Sequence, residues 1–363
     1  MLKRAAALLL VCACIALGVS CSSTSSNRYL FAALPTSNAI VVYREDPNSG
    51  GLVQLVGSPV TAGPAVQSLA MHPTGKFLFA ANSAQNNVSV YSISNGSLTE
   101  SATRTPAGTS PTLLAIDPAG SFLYVANAGS FDISVFAIAQ TNGTVSLNPV
   151  TQLSGATAPI GLSAINMAVA PSGSVLYVTG QGTQGFIEAF PLNQGVLGMQ
   201  LAGSPYITGD NPYGLAIAPG GGFLYTSNKT DSSISEFTIN SGGTLTQLAN
   251  SPITEVYNSP VSLVIDKSGK YLYAANQGNG NVIGYSIGSD GSLTLLSTSP
   301  YVTGTQPNFL AADPAGGYIF VGYGTSPPAL QSFSLGGSSG TLTSVGAYPL
   351  TGSGAPTSIV VSP

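Results

Sequence analysis

Charge is the scarcest property of this 363-residue chain: 9 Lys and Arg against 13 Asp and Glu make up 6% of it, with a formal net charge of -4. Cations so few, and gathered into no stripe, exclude ordinary nucleic-acid binding, which needs clustered Lys and Arg facing phosphates. Tryptophan is absent and His72 is the single histidine, so a paired-histidine zinc site is excluded. No G-x-S-x-G elbow leads into a helix, which removes the usual serine-hydrolase arrangement. No D-x-D-x-D loop marks a calcium site, and no metal or cofactor is expected. Cysteine is limited to Cys12, Cys14 and Cys21, all near the start, so no disulfide framework can staple the remaining sequence.

What fills the chain instead is a repeat. An aromatic or Val, then Leu or Ile, then an aromatic recurs as Tyr29-Leu30-Phe31, Phe77-Leu78-Phe79, Phe122-Leu123-Tyr124, Val175-Leu176-Tyr177, Phe223-Leu224-Tyr225, Tyr271-Leu272-Tyr273 and Tyr318-Ile319-Phe320, at spacings of 48, 45, 53, 48, 48 and 47. Around each triplet lie runs too short and too β-branched or aromatic for helices, separated by Gly, Asn, Ser and Pro. In the copy starting at Pro111, a strand leads to the turn Asp117-Pro118-Ala119-Gly120, and three more strands follow. Proline presets φ in such a turn, glycine accepts a positive φ, and a leading Asp can bond the turn backbone. The reading is all-β: a seven-bladed β-propeller of four-stranded antiparallel blades. The final run, Pro356 to Pro363, matches a first strand, whereas the repeats open at Tyr29 on a second strand. Pairing the C-terminal strand with the N-terminal blade would close the ring without a broken edge.

Lys3 and Arg4 precede an apolar stretch from Ala5 to Val19, a positive n-region and an h-region too short for a confident span. Residues 1–20 read as a signal peptide, 21–27 as a polar tether and 28–363 as one propeller domain. Leu17-Gly18-Val19-Ser20-Cys21 resembles a bacterial lipoprotein signal, with Gly18 where Leu is usual. That resemblance implies lipidation of Cys21, a membrane association by lipid anchor only, and a place on the cell envelope, at the outer membrane or cell surface. Ordinary signal cleavage to a periplasmic or secreted form stays open. A monomer is expected, since a closed ring requires no second copy.

Loops joining second to third strands, and one blade to the next, open on the face opposite the Pro-Gly turns and form the default binding surface. They supply the carboxylates Asp132, Asp210, Asp231 and Glu255 as the candidate catalytic groups, with Arg104 or Lys229 able to stabilise developing negative charge. Tyr206, Asn211, Tyr213, Lys229, Tyr257, Asn258 and Asn308 are the candidate ligand contacts, a mixture of aromatic planes and amides suited to a sugar or lactone. Asn82, Asn127, Asn228 and Asn276 recur at second-strand exits and read as local caps, while His72 sits in a tight turn away from this face. Glu188 and Glu236 fall inside third strands and read as half-exposed structural carboxylates.

The combined pattern Asp-Pro-x-Gly-x-Phe/Tyr-Leu-Tyr-Val-Ala-Asn, Ile-Ser-Val-Phe/Tyr and Gly-x-Leu-Thr resembles the lactonase-type seven-bladed propeller family, which includes bacterial 6-phosphogluconolactonases. The resemblance covers nearly all of residues 28 to 363. It implies hydrolysis of a lactone ring, or in a fungal branch cycloisomerisation of a muconate, near the central mouth. The catalytic branches depend on histidine, arginine and glutamate, whereas this domain holds Arg28, Arg44, Arg104 and a turn-bound histidine, so no catalytic residue transfers by motif. Two functions are therefore expected: a lactonase acting outside the cytoplasm on a sugar or other small lactone, or a non-catalytic exported propeller binding glycan or envelope protein.

Overall fold

The computed structural model describes residues 27–141, 143–150, 164–254, 258–324, 327–352 and 354–363. The expected signal, Cys21, the tether up to Ser26, and the loop candidates Glu255 and Tyr257 lie outside the described residues. No helix among the described residues is long and apolar enough to cross a membrane.

Seven antiparallel sheets form the fold. Their innermost strands, in ring order, are Ser358–Val361, Val66–Met71, Pro111–Ile116, Ala164–Val169, Pro212–Ile217, Pro260–Ile265 and Pro307–Ala312; each packs beside the next, and the last returns to the first. Blades are numbered 1 to 7 in that order. Blades 1, 2, 4 and 6 add a fifth strand of two residues on the third strand's free edge. The ring closes as the sequence predicts, with Leu30 opposite Val361 and Ala33 opposite Ser358. Reciprocal bonds between Tyr29 and Ser362, at 2.9 Å to the Ser362 hydroxyl and 2.8 Å to the Tyr29 carbonyl, extend that pairing.

The repeated triplet is a seam device. Its middle residue is buried in every copy, because a blade is covered by a neighbour on each side. Its first residue covers a glycine in the outer hairpin of the following blade: Tyr29 meets Gly96, Phe122 meets Gly195, Phe223 meets Gly291, Tyr271 meets Gly340 and Tyr318 meets Gly50. These glycines all have positive φ, and a Cβ there would stand 2.2 to 2.4 Å from the nearest ring carbon. In three copies the third residue is a tyrosine whose hydroxyl donates to the following blade's hairpin: Tyr177 to Gly243 O at 2.7 Å, Tyr225 to Gly291 O at 2.7 Å and Tyr273 to Gly340 O at 2.6 Å. Ring and hydroxyl together fix the spacing of adjacent blades.

The few charges on the turn face are used in the same way. Arg28 reaches Glu45 at 3.2 Å and Asp313 at 3.2 Å, joining blade 1 to blade 7 beside the closure, with both carboxylates fully buried. His72, in its tight turn, is also buried. The Thr74 N–H donates to Nδ1, which leaves the proton on Nε2 to bond the Gly120 carbonyl of blade 3 at 3.0 Å. The half-exposed reading of Glu188 and Glu236 is corrected: both are buried, because their register directs them into the blade seams rather than to an edge. Gln200 donates to Glu188 at 2.7 Å, and the Leu293 N–H of blade 6 donates to Glu236 at 2.9 Å. Burial raises both carboxyls above the ordinary glutamate range, as it does Glu45.

Candidate functional site

The loop face is organised by paired loops. At each of five blade entrances the residue before the inner strand is left-handed: Ala65, Ser110, Asn211, Ser259 and Gln306, with φ from 54° to 60°. A non-glycine residue is strained there, and a side chain from the preceding blade holds the amide in most cases. Asn38 accepts from Ala65 at 2.7 Å, Asn86 from Ser110 at 2.7 Å, Gln181 from Asn211, and Ser232 from Ser259 at 3.3 Å. The same entrances bond the second-to-third loop of their own blade: Lys229 N–H donates to Asn211 O at 2.9 Å, Ala128 to Ser110 O at 2.8 Å and Gln277 to Ser259 O at 3.0 Å. Lys229, Ala128 and Gln277 thereby occupy equivalent places at the channel mouth.

Within the ring of inner strands lies a cavity of about 630 Å³, reached by side chains of all seven blades. Its walls are stitched by serine hydroxyls accepting a backbone N–H of the next blade: Ser358 from Leu69 at 3.0 Å, Ser68 from Leu114 at 3.1 Å and Ser262 from Leu310 at 3.0 Å. Between apolar Leu, Val and Met positions the lining offers Gln67, Thr112, Asn166, Tyr213 and Gln277, and its one charged residue among those described is Lys229. The ammonium of Lys229 sits 5.0 Å from the centroid of the Tyr213 ring. Among the described residues no carboxylate stands within ion-pairing distance of it, and the Tyr213 ring is the group that faces it. Asn166 of blade 4 holds this corner by donating to the Tyr213 carbonyl at 2.9 Å.

The sequence candidates divide. Tyr213, Lys229 and Asn308 line the cavity. Asn308, however, donates its amide to the Pro356 carbonyl at 2.6 Å across the seam between blades 7 and 1, and its side-chain oxygen is buried without a hydrogen-bond partner. Asn211 and Asn258 are entrance-loop residues whose carbonyls accept from Lys229 and Gly278. Tyr206 lies on the outer edge of blade 4, its hydroxyl on Ala202 O at 3.0 Å. The described carboxylates do not reach the lining. Asp132 accepts from Asn127 and Ser130, both at 2.8 Å, Asp231 accepts the Asp210 N–H at 2.6 Å, and Arg104 is paired with Glu100 at 2.7 Å. The recurrent Asn82, Asn127, Asn228 and Asn276 are buried and structural as expected, but rather than capping backbone groups they donate to side-chain oxygens of the following strand. Gln67, Thr112, Asn166 and Gln277 went unnoticed in sequence; their common signal is position, since each lies on an inner strand or at the exit of a second strand. No group of three or more metal-binding side chains occurs among the described residues.

The sequence model of the family described as "Lactonase, 7-bladed beta-propeller" matches residues 64–158 and 199–304, more than half of the chain. The chain belongs to this lactonase propeller family. Among curated proteins no significant match is found. Among solved structures it is similar to a 6-phosphogluconolactonase candidate from Bacteroides fragilis, at 20% identity and TM-score 0.75, with 94% of this chain and 99% of that one covered. It is also similar to a Lactobacillus plantarum protein, at 19% identity, TM-score 0.73 and coverage of 92% and 99%. The periplasmic gluconolactonase PpgL of Pseudomonas aeruginosa matches at 18% identity and TM-score 0.70, covering 93% and 99%. At such identities the likeness concerns the fold.

Proposed function

We propose that this member of the lactonase family is an exported propeller that takes a sugar or other small lactone-sized molecule into its central cavity. The observation that carries the reading is the cavity: about 630 Å³, neutral and polar around Lys229, and within the ~300–1,000 Å³ usual for small-molecule sites. Binding is better supported than turnover, because no carboxylate or imidazole able to activate water stands among the described lining residues. Hydrolysis of a lactone is the second reading, favoured by family membership and by an ammonium positioned to meet a carbonyl oxygen as charge develops on it. A glycan or envelope protein is the corresponding macromolecular partner for a non-catalytic module.

Export is supported by the n-region and apolar stretch before Cys21, with residues 28–363 as the working domain, lipid anchoring through Cys21, and a monomeric ring. The deciding experiment is calorimetric titration of the purified protein with sugars and stable lactone analogues, alongside a lactone-hydrolysis panel corrected for spontaneous opening. Saturable binding without turnover supports the binding module. Turnover abolished by K229M in a folded protein supports the lactonase. Neither binding nor turnover removes the small-molecule reading.

A further inference from the structure

Resting on that small-molecule reading, we infer that the cavity selects sugar acids carrying one carboxylate over neutral sugars and over phosphorylated ones. Three observations converge. First, Lys229 is the one charged residue of the described lining, and no carboxylate among the described residues forms an ion pair with it. A half-buried ammonium at the mouth of a walled channel focuses its field on whatever enters, and a neutral sugar would replace its water only with uncharged hydroxyl acceptors. A monoanion supplies that replacement; a phosphate dianion brings more charge than one ammonium balances. Second, the ammonium faces an aromatic ring, and the backbone beneath both residues is anchored. Its backbone N–H is bonded to Asn211 O at 2.9 Å, its head lies 5.0 Å from the Tyr213 ring centroid, and Asn166 fixes the Tyr213 backbone at 2.9 Å. Third, the remaining polar lining, with Gln67, Thr112 and Gln277, is uncharged and able both to donate and to accept, which suits the hydroxyls of a polyol.

The shared chemistry is a carboxylate joined to a chain or ring of hydroxyls. It occurs in open aldonates and in cyclic uronates, and the two are separated by the choice of probe.

The test is isothermal titration of the purified protein with gluconate, galacturonate, glucose, gluconolactam as a stable neutral ring, and 6-phosphogluconate. The expected result is that gluconate or galacturonate binds about tenfold more tightly than glucose and gluconolactam, with the advantage weakening as salt rises. K229M should reduce the acid's affinity to that of the neutral sugar, K229R should retain most of the preference, and T112W, which fills the channel, should abolish binding of every probe. Preference for galacturonate identifies cyclic uronates as the source; preference for gluconate identifies open aldonates. Equal affinity for acid and neutral sugar, a preference untouched by K229M, or tighter binding of 6-phosphogluconate would overturn the inference while leaving the small-molecule reading in place. Failure of every probe, with folding verified by circular dichroism, would remove both.

Discussion

Replacing Gly291 by alanine should cost the propeller far more than the same change at Gly143, although both glycines occupy the outer hairpin of a blade and have similar φ, +87° and +78°. The backbone penalty is common to the two: an L-residue in this region costs about 1–2 kcal/mol, partly offset by about 0.4–1 kcal/mol from a stiffer unfolded chain. What differs is the surroundings. A Cβ on Gly143 meets nothing within 4 Å, whereas a Cβ on Gly291 would lie 2.3 Å from Cδ1 and 2.4 Å from Cε1 of Phe223 in the preceding blade. Phe223 is packed at the seam and must retreat by more than an ångström, an overpacking cost of about 1–3 kcal/mol. The Gly291 carbonyl also receives the Tyr225 hydroxyl at 2.7 Å, so a shifted hairpin endangers that bond too. The expected gap between G291A and G143A is therefore about 1–3 kcal/mol; with a urea m-value near ~3 kcal/mol/M it appears as a midpoint difference of about 0.3–1 M. Adding F223A should shrink the gap in a double-mutant cycle. Equal midpoints for the two alanine variants would refute the claim that the aromatic of the repeated triplet spaces the blades.

Y225F, which removes only the hydroxyl over Gly291 O, should lower stability by about 1–3 kcal/mol through a buried carbonyl left unpaired, measured by the same urea titration. R28M should cost about 3–5 kcal/mol, because it strands the buried Glu45 and Asp313 carboxylates, and E45Q introduced beside it should restore part of the loss. Glu188 tests pH dependence. Burial raises its folded pKa, so the folded state holds its proton more tightly, and the associated stability is present below the ordinary glutamate pKa and lost as pH rises through the raised value. E188Q should accordingly raise the urea midpoint at pH 8 and change it little near pH 4; a shift of equal size at both pH values would contradict the assignment. C21S should abolish fatty-acid labelling of the protein in a bacterial host if Cys21 is the lipid anchor, and unchanged labelling would exclude it.

The ring was legible because its period is written in large apolar side chains whose spacing a propeller must keep. The closing strand was equally legible, since Pro356 to Ser362 copies a first strand that has no second strand after it. The seam was not. Gly291 and Phe223 lie 68 positions apart and reveal their contact only when blades are placed side by side. The repeated Ser-Pro at 58–59, 204–205, 251–252 and 299–300 also passed unread, although each serine hydroxyl accepts a third-strand N–H, as Ser251 does from Glu236 at 2.8 Å. At the site, reading loops for polar residues found Tyr213 and Lys229, which point inward, but gave equal weight to Asp132, Asp231 and Arg104, whose bonds are spent locally. Residue type and loop membership do not reveal direction; Gln67 and Thr112 face the channel because inner-strand alternation turns them there.

The bond between Tyr29 and Ser362 spans 333 positions. Every other blade can assemble from neighbouring sequence as soon as it is available, but blade 1 must wait for the far end of the chain. Until then the ring is an open arc with two unpaired strand edges, and folding speed should be limited by one long-range closure rather than by seven local ones. The same geometry makes the starting point arbitrary: joining residues 28 and 363 by a short linker and reopening the chain at the hairpin around Gly143 would preserve every blade while moving the slow step to blade 3. A permuted chain whose refolding no longer responds to S362A, and responds instead to changes in blade 3, would show that one long-range closure governs how quickly this propeller becomes resistant to aggregation and proteolysis.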